Sequence, residues 1–310
     1  MGFLKRFQRG QDPVPNWASF LKPAEYREFG RQVAAYLDRR GDPYEFLGDG
    51  GVNVQIGEGD PHVLGLLNLA QKWNLAPAAE RPSVIDGHLN GLFGHWERAG
   101  VADQDSRSFD DVAGQLRLRL VPDDFGAHAP EVMFSRPFAQ GVDAALAIDW
   151  PDTVEMVNAK TVAAWGVPGD VVFSRGLQNV LDTERPAMER MGGDAPLTLM
   201  YGDSFYTASH ALALERYITP RTPHGAVFAV PNRHVVLLQA ITGIDIIKSI
   251  QPLIVAAAGY YREGPGSISP LLFWWRDGEI VMLPCSFDGK QVTFSPPDDF
   301  TVLLNSLSAP

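Results

Sequence analysis

The chain has 310 residues, 45% apolar and 20% charged, which is ordinary for a soluble globular protein with room for one large domain or two smaller ones. Its net charge of −11 argues against a nucleic-acid partner, because phosphate-backbone binders concentrate Lys and Arg. The single cysteine, Cys285, excludes an internal disulfide and fits a reducing cytoplasm, and no apolar run reaches the length of a membrane span.

The opening MGFLKRFQRG carries Lys5, Arg6 and Arg9 with no signal-peptide core behind them, so it reads as a frayed basic arm. KPAEYREFGRQVAAYLDRRG is the first helix, started by Pro23 and stopped by Gly41, with Tyr26, Phe29, Val33, Tyr36 and Leu37 on one face. YEFLGDGGVNVQI reads as a hairpin around Asp49-Gly50-Gly51. Asp60-Pro61 then caps a helix running to Trp73, and a further helix from Ser83 to Ala99 buries Ile85, Leu89, Leu92, Phe93 and Trp96 and stops at Gly100.

The turn-rich VADQDSRSFDD marks a boundary. It divides an N-terminal helical region with a hairpin (1–105) from a mixed α/β domain (106–310). Eleven Asp/Glu against four Arg make residues 101–155 locally acidic, which reads as a solvated face. LRLRLVP is a half-buried strand with Leu116, Leu118 and Leu120 inward and Arg117 and Arg119 outward. VDAALAIDW (142–150) is the next strand. A helix from Pro168 to Leu181, strand PLTLMYG, helix SFYTASHALALERYI, strand GAVFAVP and a helical segment kinked or started by Pro252 follow. LLFWW, EIVMLP and QVTFS close the chain as a β-meander, before a last helix near Asp298. The expected fold is mixed α/β (α+β), a mixed sheet flanked by helices.

Five places in the chain could carry chemistry. Gly202-Asp203-Ser204 looks like the nucleophile block of a GDSL-type esterase. That reading makes Ser204 or Ser209 the nucleophile and His210 or His234 the base. No Asp stands three residues before any later histidine, and the Gly-x-Ser-x-Gly elbow is absent, so Ser204 is expected to cap a helix and no catalytic residue is assigned. Cys285 lies in the strand-like IVMLPCSF without a neighbouring histidine, as a buried thiol would. His88 and His95 are two helical turns apart, too far to share an ion even with Glu97 or His62, so no metal is expected. LGDGGVNVQIGEG lacks the spacing of a nucleotide loop, and no cofactor is assigned. In AVPNRHVVLL, Asn232, Arg233 and His234 interrupt two apolar runs. They form either a turn begun by Pro231, or a site where Arg233 pairs with Asp149 or Asp203 or binds an anionic ligand.

Four segments carry a family resemblance. AALAIDWPDTVEMVNAKTVAAWGVPGDVVFSRGLQNV resembles the central block of the YtpQ-like proteins, a bacterial family of unknown function. Asp203, Tyr206, Ala208 and Ser209 resemble that family's Asp-x-Tyr-x-Ala-Ser segment with one extra residue, and AVPNRHVVLL its Pro-Asn-Arg-Asp turn with His234 in the Asp place. SISPLLFWWRDGEI is similar to its closing strand, with Phe273 in the aromatic place. The ordered match spans roughly residues 60 to 285. It implies a cytosolic bacterial α/β protein without established activity, cofactor or substrate.

The leading expectation is a non-enzymatic protein that binds a protein or small-molecule partner through a cleft at strand ends. Asp149, Asp203, Tyr206, Ser209, Asn232 and Arg233 are the candidate residues. An apolar patch at Phe273, Trp274 and Trp275 offers a route to homo-oligomers, since strand alternation turns one tryptophan outward unless something covers it.

Overall fold

A computed structural model describes residues 14–47, 50–57, 62–99, 107–125, 133–150, 153–193, 197–218 and 222–307. The basic arm, Asp49, Asp60-Pro61, Gly100 and most of the acidic boundary segment lie outside the described residues. The chain divides into two compact units, residues 1–102 and 103–310.

In the first unit, helix α1 (Pro23–Arg40) starts with Pro23 in its first turn and ends on Gly41, whose φ of 83° suits a residue without a side chain. Its Phe29, Val33 and Leu37 face join Trp73, Leu89 and Phe93 in one core. Strands β1 (Tyr44–Phe46) and β2 (Gly51–Val54) form the hairpin. A third strand, β3 (His62–Gly65), pairs with β2 where the sequence places the start of a helix. His62-Val63-Leu64 alternates with period two, burying Leu64 and exposing Val63, and the ladder supplies its backbone partners, so helix α2 begins only at Leu67 (Leu67–Leu75). Helix α3 (Arg81–Ala99) buries Ile85, Leu89 and Phe93 as expected.

The second unit runs α4 (Phe109–Val112), β4 (Leu116–Pro122), β5 (Ser135–Ala139), β6 (Val142–Trp150), β7 (Thr153–Met156), α5 (Ala159–Ala164) and α6 (Gly169–Thr183). It continues with β8 (Ala187–Met191), β9 (Leu197–Tyr201), a 3₁₀ segment (Thr207–Arg216), β10 (Ala226–Asn232), β11 (Val235–Ala240) and α7 (Ile246–Glu263). Strands β12 (Leu272–Arg276), β13 (Glu279–Leu283), β14 (Cys285–Phe287) and β15 (Val292–Phe294) form the meander, and α8 (Asp298–Leu307) ends the unit. The fold is mixed α+β, with antiparallel pairing in each sheet. One sheet centres on β6, which pairs with β4, β5 and β7. The other has the order β13-β12-β10-β11-β9-β8. Helix α7 runs through Pro252 rather than starting at it.

Every residue of β10 is buried, because both faces of the six-stranded sheet are covered. Phe228, Val230, Val236 and Phe273 share a core with Leu116, Leu118, Leu120 and Phe173. On the opposite face Val227, Leu237, Leu272 and Trp274 pack on Ile250, Leu253 and Ile254 of α7 and Phe300 of α8. The exposed patch expected at Phe273–Trp275 is therefore absent. Phe273 is wholly buried, Trp274 packs edge-on against Phe300 at 5.3 Å and donates its Nε1 hydrogen to His224 O, and Trp275 packs against the other core. Alternation placed the two rings on opposite faces correctly. What it did not reveal is that a helix covers one face and a second sheet's core meets the other.

Candidate functional site

The β10–β11 turn is assembled from its own polar residues. Asn232 accepts from the His234 N–H at 2.9 Å through Oδ1 and donates from Nδ2 to Tyr260 O at the end of α7 at 2.8 Å. This makes Asn232 a turn-former whose amide is spent on the backbone. The Arg233 N–H donates to Gly266 O, and Arg233 O accepts from the Ala208 N–H of the 3₁₀ segment, each at 3.0 Å. Gly266 has φ 73°, and a Cβ there would stand 2.7 Å from Arg233 Cδ, so the glycine is what lets the loop close over the arginine.

That closure buries Arg233 to 5% exposure. Its Nε donates to His234 Nε2 at 3.0 Å, while His234 Nδ1 lies 3.1 Å from Gly202 O. A carbonyl oxygen only accepts, so Nδ1 carries the hydrogen and Nε2 offers its lone pair: His234 is neutral here. The guanidinium also lies over the Phe205 ring at 4.1 Å. Arg233 Nη2 is shielded from solvent and has no hydrogen-bond partner among the described residues. Burial, and then the nearby Arg119, pull the guanidinium's pKa down to about 9, so it is charged at neutral pH but held at a cost.

Asp203 does not supply the counter-charge: it is exposed and makes no hydrogen bond or ion pair with Arg233 among the described residues. Asp149 is engaged elsewhere. It accepts from the Tyr206 hydroxyl at 2.9 Å and lies 4.0 Å from Arg117 Nε. Tyr206 is almost fully buried, and burial followed by Asp149 keeps its hydroxyl protonated far above the ordinary tyrosine range. Ser209 is fully buried; its N–H donates to Tyr206 O, and its Oγ has no partner among the described residues. No hydrogen bond links Ser209 to the Arg233 side chain among those residues.

Two residues that belong with Arg233 were assigned by the sequence to a solvated face. Arg117 and Arg119 do point away from the leucine face of β4, but they stand opposite Ala147 and Ala145 of β6, and both alanines are fully buried. That face is covered, and the Nε atoms of both arginines are shielded without a hydrogen-bond partner among the described residues. Arg117 still donates from Nη1 to Gly114 O and Leu116 O, whereas the Arg119 side chain makes no hydrogen bond among the described residues and has the Phe125 ring 5.5 Å from its guanidinium carbon. The clue was in VDAALAIDW: a strand apolar on both faces leaves no solvent for the arginines of its neighbour.

Two of the hydrolase candidates, Ser204 and His210, are engaged with other groups. Ser204 Oγ accepts from the Tyr206 N–H at 3.1 Å, which closes a turn just ahead of the 3₁₀ segment; the segment itself has Tyr206 as its N-cap and no side-chain cap, so the expected Ser204 cap is not formed. His210 lies inside that segment with Nδ1 bonded to the Tyr217 hydroxyl, and no hydrogen bond joins it to Ser204 among the described residues. The segment is 3₁₀ rather than the expected α-helix, with a break at Ala213 (φ −137°, ψ 47°). Seven of its ten residues are buried, so packing sets its winding rather than propensity. Cys285 has its thiol pushed up by burial, which leaves it a poor nucleophile. In the first unit His62 stacks on Trp96 at 4.7 Å and His88 Nδ1 lies 3.4 Å from Lys72 Nζ; no group of three His, Cys, Asp or Glu converges among the described residues. A cavity of about 650 Å³ opens beside the β12–β13 turn, lined by His224, Trp274, Arg276, Asp277, Glu279 and Asp299, and none of Asp149, Asp203, Tyr206, Ser209, Asn232 or Arg233 lines it. No helix among the described residues is long and apolar enough to cross a membrane.

No protein-family model, no curated protein and no solved structure matches the chain.

Proposed function

We propose that the second unit is a binding protein for a small anionic ligand, held by Arg233 at the β10–β11 turn, and not a hydrolase. One observation carries this reading: Arg233 is buried with a shielded Nη2, and no carboxylate among the described residues pairs with it. A buried guanidinium is costly unless something compensates it, and a ligand oxygen is the chemistry that fits. Against the hydrolase reading stand Ser204, whose Oγ accepts from the Tyr206 N–H in a local turn, and His210, engaged with Tyr217. We also place the protein in a bacterial cytoplasm, on its single cysteine and its likeness to the YtpQ-like proteins.

The test is a thermal-shift series at constant ionic strength with chloride, acetate, succinate and phosphate. A ligand at a hundredfold its Kd stabilises by about 2.7 kcal/mol, roughly 5–10 °C for a unit of this size. At least one oxyanion is expected to raise the transition while chloride does not; a flat series across all four overturns the reading. In parallel, a fluorophosphonate probe is expected to leave the protein unlabelled, and Ser204→Ala is expected to leave the anion shift unchanged. Labelling that disappears in Ser204→Ala would restore the esterase.

A further inference from the structure

The anion site extends beyond the turn. Phe205 and Tyr206 are consecutive and bridge two groups of cations. Phe205 lies under the Arg233 guanidinium, and Tyr206 reaches through Asp149 to the arginine face of β4. Arg117 and Arg119 are two residues apart on that face. Arg119 shares the arginine face of β4 with Arg117 and acts electrostatically on both Tyr206 and Arg233, so three guanidiniums stand against one engaged carboxylate, Asp149, an excess of two positive charges once the solvent-exposed Asp203 is set aside. His234 adds no charge, because its Nε2 lone pair faces Arg233. The shielded donors come from different side chains: Arg233 Nη2, Arg119 Nε and Arg117 Nε. A single carboxylate is matched by the two parallel N–H groups of one arginine. Donors spread over separate arginines, with two charges to neutralise, suit an ion with more oxygens and more charge.

We propose that the ligand class is a phosphate-type dianion, free phosphate or the terminal group of a phosphomonoester, with Arg119 and Arg233 as its principal cations and Arg117 held back by Asp149. This assignment rests on the anion-binding reading above. His234 acquires a role from it. A carboxylate at position 234 would accept from Arg233 Nε and neutralise the guanidinium within the fold, whereas neutral imidazole orients the side chain and leaves its charge for the ligand.

The test is calorimetric titration of the full chain with inorganic phosphate, sulfate, acetate and succinate, then with phenyl phosphate and glycerol phosphate. Phosphate and sulfate are expected to bind at one site per chain, with acetate and succinate at least about tenfold weaker. Arg119→Met and His234→Asp should each weaken phosphate by at least about tenfold, and Arg276→Met, which removes an exposed positive charge, should not. Tighter binding of either ester than of phosphate identifies a phosphomonoester; equal binding identifies the free ion. Succinate or acetate binding in place of phosphate overturns the dianion assignment and leaves the anion-binding reading standing. Phosphate binding that survives both Arg119→Met and His234→Asp means an adventitious ion only and overturns it as well. No binding by any anion overturns both.

Discussion

Arg233→Met is expected to abolish the anion response while leaving the stability of the ligand-free protein within about 1 kcal/mol of wild type. The sign follows from what the guanidinium touches. Methionine refills most of the space of the arginine stem and removes a buried charge, a type of exchange that is neutral or stabilising by about 1–4 kcal/mol. Against that gain stand the hydrogen bond to His234 Nε2 and the contact with Phe205, together worth about 1–3 kcal/mol. If a carboxylate of the chain compensated Arg233, the same substitution would strand it and cost about 3–5 kcal/mol. Urea denaturation of the two proteins separates the cases. Near-equal midpoints, with the phosphate shift lost, are the predicted outcome; a loss of several kcal/mol contradicts it.

The second large effect is acid destabilisation through His210. This residue is 1% exposed, and its Nε2 has no partner among the described residues. Burial first, and then Arg185 and Arg216, push its pKa down to about 4. The unfolded chain takes up a proton near pH 6.5 and the folded chain does not, so between those values the unfolded state binds more protons. The contribution of His210 is therefore fully present above pH 6.5, is lost as pH falls, and stops changing below about 4. Across the window it amounts to on the order of 3 kcal/mol, a slope of about 1.4 kcal/mol per pH unit at its steepest. His210→Leu is expected to flatten the stability profile by about that slope between pH 6.5 and 4, as measured by urea denaturation at four pH values. Parallel profiles for wild type and variant would show that His210 is not the group being titrated.

Both effects sit on side chains whose burial a single strand or helix cannot report. The alternation of Leu116, Leu118 and Leu120 is legible because periodicity belongs to one strand, and the hairpin and the helix from Pro23 to Gly41 are legible for similar local reasons. Arg117 and Arg119 are misread because their environment belongs to the neighbouring strand: Ala145 and Ala147 reveal a covered face only once β4 is paired with β6. The same holds for Trp274, which α8 covers from more than twenty residues downstream. His62–Gly65 fails for a different reason, since four residues carry too little periodicity to separate a strand from the first turn of a helix.

The site was legible as a disjunction. Interrupting two apolar runs with Asn232, Arg233 and His234 required either a turn or a buried polar site, and the structure contains both in one place. Asn232 makes the turn, and the turn buries Arg233. Of the two acids offered as partners, Asp203 is exposed and Asp149 serves Tyr206 and Arg117. The sequence offered both acids as partners of Arg233 by type alone, and their placement removes them.

The most direct test of the uncompensated arginine is a crystal structure grown in phosphate. The predicted result is a tetrahedral anion within hydrogen-bond distance of Arg233 Nη2 and Arg119 Nε, with His234 Nε2 still accepting from Arg233 Nε. A carboxylate of the chain seated against Arg233, with no anion between the two arginines, would contradict it.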